Sequence, residues 1–115
     1  MIEKRRFHRV RYVSECVLTC HDASHEGRLE NLSLNGALAS FNGSILVRPA
    51  NTGTLDVYVD SQAEPLRFEV EVVHGGFSMV GVKFLDMDSG TKVRLQELLR
   101  RLTSTPEKFG EKLCG

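Results

Sequence analysis

The chain has 115 residues, which is enough for one domain with a modest hydrophobic core. Fifteen Lys and Arg balance 15 Asp and Glu, and this zero formal net charge argues against a general nucleic-acid-binding protein. No apolar stretch is long enough for the core of a signal peptide or for a membrane span, so we expect a cytoplasmic protein with no membrane partner.

The cations are nevertheless concentrated at the start of the chain. Residues 1–11 hold five Lys and Arg against one acid, Glu3, which leaves 10 basic and 14 acidic residues in the remainder. A slightly acidic body with one basic segment suits a specific anion better than a polyanion. We define residues 1–11 as the N-terminal arm. Taken alone, the arm is more typical of a solvated tail than of a specific site.

Six runs of alternating apolar and polar residues follow the arm and predict strands. They cover residues 11–20, 26–34, 36–41, 54–60, 66–73 and 78–84. Turn residues separate the runs, and Asn35-Gly36 is typical of a type I′ hairpin turn, which needs positive φ at both central residues. Because the connections are short, we predict a six-stranded antiparallel β-barrel over residues 12–87.

One amphipathic helix is predicted over residues 88–103, with Asp88 or Ser89 as its N-cap. Its apolar stripe is formed by four leucines at helical spacing: Leu95, Leu98, Leu99 and Leu102. This stripe must pack on the barrel, so the fold class is all-β with one C-terminal helix. Residues 104–115 are interpreted as a tail.

The cysteines do not predict a disulfide or a metal site. Cys16 and Cys20 would lie about 13 Å apart along one strand face, which is too far for a disulfide. His21 would point to the opposite face, and no second ligand pair follows, so we expect no metal. Cys114 lies in the predicted tail.

Two groups of polar residues are candidates for a binding site. The first is Arg5-Arg6-Phe7-His8-Arg9, whose guanidinium groups suit phosphate oxygens and the edge of guanine. The second is the segment Asn31–Gly36. On a regular strand Asn31 and Ser33 would share the outer face, while Leu32 and Leu34 would face the core.

Together these groups resemble a known family. The pattern Arg-x-x-x-Arg near the start, followed by [Asp/Asn]-x-Ser-x-x-Gly, resembles the PilZ domain, and the resemblance covers residues 3–103. Gly81-Val82-Lys83-Phe84 and the amphipathic helix after it extend the match. The resemblance implies a six-stranded antiparallel barrel and a bacterial, non-catalytic receptor for the second messenger cyclic di-GMP, with no other cofactor.

The resemblance also implies roles for individual residues. Arg5, Arg6 and Arg9 would bind phosphates and guanines, with Arg6 stacking on a base or adding a phosphate contact. Asn31 and Ser33 would bind a guanine edge or a phosphate from the barrel face.

Three further residues complete the predicted site. Gly36 would shape the turn beside Asn31 and Ser33. His74 and Lys4 are secondary candidates, His74 for a contact to guanine and Lys4 for an effect on whether one or two ligand molecules bind.

One departure from the family pattern leaves an alternative open. Asn31 stands where the family more often has Asp, and an amide offers a single acceptor where a carboxylate accepts from two N–H groups of guanine. The alternative is a PilZ-like protein-interaction module that has lost or weakened ligand binding. No nucleophile–base pair is evident, so we expect no enzyme. In either case a downstream protein partner, which the sequence does not identify, would read the changed surface.

Overall fold

The computed structural model describes residues 10–42, 47–59, 64–76 and 78–104. It contains the strands β1 (Val10–Cys20), β2 (Ala23–Leu32), β3 (Gly36–Phe41), β4 (Thr52–Val57), β5 (Leu66–Gly75) and β6 (Met79–Asp86), and the helix α1 (Ser89–Ser104). Residues 1–9 of the N-terminal arm and residues 105–115 of the predicted tail lie outside the described residues. Residues 10 and 11, which we assigned to the arm, belong to β1.

The six strands form a closed antiparallel barrel in the order β1-β2-β3-β6-β5-β4, and β4 pairs back with β1. This confirms the predicted fold class. The alternation in the sequence places one face of each strand inside, because successive side chains of a strand point to opposite faces. The largest fully buried side chains of the strands are Leu18, Leu29, Leu32, Leu55, Leu66 and Phe68.

The two-residue type I′ turn occurs at a different hairpin from the predicted one. Cys20 pairs with Ala23 across β1 and β2, and the two residues between them have positive φ, 56° at His21 and 63° at Asp22. Our placement of this turn at Asn35-Gly36 is therefore wrong. There, β2 ends at Leu32 and β3 begins at Gly36, so three residues form the connection.

Helix α1 closes against the barrel along its leucine stripe. Asp88 is its N-cap, since the Thr91 backbone N–H donates to Asp88 Oδ1 at 2.8 Å, and this hydrogen bond lowers the pKa of Asp88. Leu95, Leu98 and Leu99 are buried, and the helix contacts β5 and β1. Among the described residues there is no helix with the length and apolar character needed to cross a membrane.

Cys16 and Cys20 are both free thiols inside the barrel. Burial, together with the nearby Glu30 carboxylate, raises the pKa of Cys16 to about 12. Across the part of the chain that the structure describes, no three His, Cys, Asp or Glu side chains form a group that could hold a metal ion.

Candidate functional site

A β-bulge in β2 directs Asn31 to the outside of the barrel. Leu29 pairs with Ala39 and Asn31 pairs with Leu38, so Glu30 is the extra residue on β2. Leu29 and Leu32 are both fully buried, while Glu30 and Asn31 between them are only half-buried. The bulge thus puts two consecutive side chains on the outer face. The three-residue spacing of the two leucines is the sequence signal of this bulge.

Strand register places Asn31 in one transverse row with residues from distant parts of the chain. Asn31 pairs with Arg11 on β1 and with Leu38 on β3, Leu38 pairs with Gly81 on β6, and Gly81 pairs with His74 on β5. We call this row of five residues the site face. Three strand spacings separate Asn31 from His74, which is about 14 Å. The structure therefore brings together two predicted site residues that are remote in sequence.

The carboxamide of Asn31 has an unused hydrogen-bond acceptor. Its Oδ1 atom is buried and has no hydrogen-bond partner among the described residues. A buried acceptor without a donor costs about 1–3 kcal/mol, and most such groups in proteins are paired. Asn31 Oδ1 is therefore suited to accept a hydrogen bond from a bound molecule.

Ser33 organises the connection between β2 and β3 from a buried position. Its side chain is only 1% exposed, and its hydroxyl accepts hydrogen bonds from the backbone N–H groups of Asn35 at 3.2 Å and Gly36 at 3.1 Å. The same hydroxyl donates to Asn35 Oδ1 at 2.8 Å. The Ser33 backbone N–H donates to the Gly36 carbonyl at 2.9 Å. Every hydrogen-bonding capacity of this side chain is used inside the loop.

Two of our predictions about this segment are wrong. Ser33 does not share the outer face with Asn31, and Leu34 does not face the core, since its side chain is 41% exposed. The strand alternation assumed for residues 26–34 ends at Leu32, and Ser33 turns inward to bind the loop backbone. Local hydrogen bonding by serine replaces the strand pattern at this point.

Gly36 is required by a close contact between strands. A Cβ atom at this position would collide with the Val82 carbonyl oxygen and would lie 3.4 Å from the Lys83 Cα atom, both on β6. Its φ does not lie in the left-handed region, so the turn that we expected it to form is not the reason for the glycine. The Asn35 carbonyl also accepts from the Phe84 N–H at 2.8 Å, which anchors the loop to β6.

The other end of the site face is shaped by a second bulge. Val72 pairs with Val82 and His74 pairs with Gly81, so Val73 is the extra residue, and both Val73 and His74 are exposed. A Cβ at Gly81 would lie 3.5 Å from His74 Cβ and 3.8 Å from Leu38 Cδ1. The His74 and Leu38 side chains therefore lie close together around Gly81.

A fixed anion next to Asn31 was missed by the sequence reasoning. Glu30 accepts hydrogen bonds from Ser40 Oγ at 2.8 Å and from Arg28 Nε at 3.3 Å. The hydrogen bond from Ser40, together with Arg28 and the charge of Arg11, lowers the pKa of Glu30. In the sequence, Arg28 and Glu30 look like solvated strand residues, and only the bulge places Glu30 beside the site.

The four basic candidates Lys4, Arg5, Arg6 and Arg9 lie outside the described residues. The structure describes the point at which this segment joins the barrel. Val10 pairs with Leu32, and Arg11 pairs with Asn31, so the segment before Val10 joins the barrel directly beside Asn31.

Comparison with known proteins agrees with this architecture. The chain is similar to the PilZ domain with c-di-GMP of YcgR from Escherichia coli, with 17% identity and a TM-score of 0.75, covering 92% of this chain and 97% of that chain. It is also similar to MotI (DgrA), the inhibitor of motility of Bacillus subtilis, with 13% identity and a TM-score of 0.74, covering 90% of this chain and 53% of that chain. At these identities the likeness concerns the fold.

The MrkH–c-di-GMP complex of K. pneumonia is a third similar structure, with 10% identity and a TM-score of 0.70, covering 94% of this chain and 56% of that chain. The chain therefore spans nearly all of the isolated YcgR domain but only about half of MotI and MrkH. No curated protein matches the chain. The family model for the PilZ domain matches residues 3–101, which include both motifs and most of α1. The chain belongs to the PilZ domain family.

Proposed function

We propose that this protein is a non-catalytic receptor that binds cyclic di-GMP on the site face. The observation that carries the proposal is the strand register around Asn31. It aligns Asn31 and His74 on one outer surface, and it pairs Arg11, the last residue of the N-terminal arm, with Asn31. Membership of the PilZ family and the similarity to domains solved with c-di-GMP support the choice of ligand.

The chemistry of the candidate residues fits this ligand. Cyclic di-GMP carries two phosphate charges and two guanines. Arg5, Arg6 and Arg9 would supply guanidinium groups that bind phosphate oxygens or the O6 and N7 atoms of guanine. The free acceptor of Asn31 would receive a guanine N–H. His74, which is exposed at the other end of the site face, would contact a second guanine.

Ser33 and Gly36 would act mainly through the loop that they support. The Ser33 hydroxyl is engaged by Asn35 and Gly36, and Gly36 permits the close approach of β6. We propose that both residues hold the Leu34–Asn35 segment so that a ligand on Asn31 meets an ordered loop. Closure of the arm on the ligand would change the surface that the barrel presents to a partner protein.

Calorimetric titration tests the proposal directly. We expect heat with cyclic di-GMP but none with GMP or cyclic di-AMP, and a stoichiometry of one or two, the latter if Lys4 supports a second molecule. Arg9→Ala should weaken binding by about 10-fold or more, since a hydrogen bond to a charged group is worth about 1.5–3 kcal/mol. Lys92→Ala, an exposed cation on α1, is the matched control and should bind like wild type. Absence of heat at high micromolar ligand would contradict the receptor proposal and would favour the protein-interaction module.

Asn31→Asp tests the contact to guanine. A carboxylate can accept from both N1–H and N2–H of guanine, so we expect affinity to rise several-fold in the same titration. Gln96→Glu on α1 adds the same charge at an exposed position outside the site and should leave affinity unchanged. If Asn31→Asp also leaves affinity unchanged, Asn31 does not bind the guanine edge.

A further inference from the structure

Two consecutive side chains at the bulge of β2 carry hydrogen-bond acceptors that the described residues leave unused. Asn31 Oδ1 is buried and has no hydrogen-bond partner within the described ranges. Glu30 accepts from Ser40 Oγ at 2.8 Å and from Arg28 Nε at 3.3 Å, and both hydrogen bonds go to its Oε2 atom. In the part of the chain that the structure describes, no donor reaches Glu30 Oε1. The bulge thus leaves two neighbouring residues each with an acceptor that lacks a donor.

The Glu30 carboxylate is fixed in place and ionised. Its side chain is 19% exposed, and it is held from two strands, by Ser40 on β3 and Arg28 on β2. The hydrogen bond from Ser40 lowers the pKa of Glu30 most, and Arg28 and the charge of Arg11 lower it further. The carboxylate is therefore negatively charged at neutral pH, with one oxygen held by the barrel and the other available.

Two unused acceptors, one of them charged, select a ligand group that carries N–H donors. A phosphate does not suit Glu30, because two negative charges repel each other and neither supplies a proton. Guanine presents N1–H and its exocyclic N2 amino group side by side. Adenine has an acceptor nitrogen at N1 next to its amino group, so one of its two atoms would face an acceptor without a proton between them. The position of Glu30 beside Asn31 therefore suits the donor edge of guanine.

We propose that Glu30 determines the preference of the site for guanine, by accepting a hydrogen bond from the exocyclic amino group while Asn31 Oδ1 accepts from N1–H. This inference rests on the proposed function, since it states which part of cyclic di-GMP lies at this end of the site face. The amino group has two N–H bonds, so Glu30 can use one of them whichever side chain stands at position 31. Ser40 is a positioning residue, which acts on the ligand through Glu30.

An analogue without the amino group measures this contact in the wild-type protein. Cyclic di-IMP has hypoxanthine in place of guanine, so it keeps N1–H and both phosphates but lacks both N2 amino groups. When it binds, the Glu30 carboxylate loses water without gaining a donor, and such an unpaired polar group is costly. We expect wild type to bind cyclic di-GMP about 10- to 100-fold more tightly than cyclic di-IMP, as is typical for a hydrogen bond to a charged group.

The variant Glu30→Gln identifies the residue that makes the contact. The substitution keeps the size of the side chain but removes its charge, so we expect the affinity for cyclic di-GMP to fall by about 5- to 10-fold. The affinity for cyclic di-IMP should change by less than about 2-fold, because that ligand has no amino group to lose. The second guanine contributes equally in both proteins, so the ratio of the two changes isolates the coupling between Glu30 and the amino group.

Two further variants complete the calorimetric experiment. Glu69→Gln removes the same charge from an exposed position on β5 and should leave the affinity for both ligands within about 2-fold of wild type. Ser40→Ala removes the closest donor to Glu30 but leaves the carboxylate, so we expect the preference for cyclic di-GMP over cyclic di-IMP to fall by about 3-fold. Circular dichroism of each variant establishes that it is folded before titration.

Several results would overturn the role of Glu30. Wild type that binds cyclic di-GMP and cyclic di-IMP within 2-fold of each other has no contact to the amino group. An equal loss for both ligands in Glu30→Gln would show that the residue acts through the fold or through general charge. If Glu30→Gln does not fold, an unchanged preference in Ser40→Ala would contradict the proposal. A wild type that binds cyclic di-GMP without this preference refutes the role of Glu30 alone, whereas no heat with cyclic di-GMP refutes the proposed function as well.

Discussion

Replacement of Ser33 by alanine separates a structural role of this residue from direct ligand contact. The substitution removes one oxygen from a site that is 1% exposed, so almost no water can take its place. Four hydrogen-bond contacts involve this oxygen: it accepts from the Asn35 and Gly36 N–H groups, and its single proton is shared between Asn35 Oδ1 at 2.8 Å and the Gly36 carbonyl at 3.2 Å.

The expected loss of stability depends on whether each group that is bonded to the Ser33 hydroxyl can find another hydrogen-bond partner. Asn35 is exposed, so water can satisfy its side chain and, in part, its N–H. The Gly36 N–H is less accessible and is left without an acceptor, for which about 1–3 kcal/mol is typical. We therefore expect Ser33→Ala to lower the free energy of unfolding by about 2 kcal/mol. This value combines the unsatisfied Gly36 N–H with the lost hydrogen bonding to Asn35. For a domain of this size that corresponds to a melting temperature lower by roughly 8–15 °C.

Thermal unfolding followed by circular dichroism measures this difference. The control is Ser24→Ala, which removes only an exposed hydrogen bond to Thr19 Oγ at 3.2 Å and should change the melting temperature by no more than about 2 °C. Amide hydrogen exchange should accelerate at Gly36 in Ser33→Ala and not in the control. If Ser33→Ala melts like Ser24→Ala but loses ligand affinity, the hydroxyl contacts the ligand, and the loop-holding role argued above is refuted.

Two further variants test the contacts that frame the site. Gly36→Ala introduces a Cβ against the Val82 carbonyl, a backbone atom that cannot move aside, so we expect a loss of about 2–3 kcal/mol in urea unfolding. Gly81→Ala, whose new Cβ meets only ordinary contacts at 3.5 Å, is the control for stability, and an equal loss in both variants would contradict the close contact of β3 with β6. Asp88→Ala removes the N-cap of α1 and should lower the melting temperature at pH 7. Because the folded-state pKa of Asp88 is lowered, its contribution is complete above the unfolded-state value of about 3.9 and is lost as the pH falls through the folded-state value. Wild type and Asp88→Ala should thus converge below that pH, and a constant difference down to pH 2 would contradict the charged cap.

The strands were predictable where the hydrophobic pattern is regular, and prediction failed where a bulge or a loop hydrogen bond interrupts it. The alternation through β1 and β5 correctly indicated which side chains fill the barrel. At Glu30 the pattern shifts by one residue. Beyond Leu32 the strand ends, so the assumption of strict alternation gave the wrong environments for Ser33 and Leu34. In a regular ladder one of Leu29 and Leu32 would be exposed, and the cost of that exposure outweighs the cost of interrupting the ladder, so the bulge forms.

Gly36 shows a second limit of local reasoning. Asn-Gly in a sequence favours a type I′ turn. Here the glycine instead lets the backbone of β3 lie close to the carbonyl oxygen of Val82, which is 46 residues later in the chain. The type I′ geometry appears instead at His21-Asp22, where no glycine marks it. Asp tolerates the left-handed region better than most residues, and the two-residue connection between paired strands requires that conformation.

The sequence by itself determined the class of the fold, the number of strands, the helix with its leucine stripe and the family motif. These depend on the order of neighbouring residues, which carries periodicity, capping signals and motif spacing. Only the tertiary structure decided the direction of Asn31, the inward turn of Ser33 and the alignment of His74 with Asn31 across four strands. Those features follow from strand register and bulges, which are set by pairing between segments that are far apart in the chain.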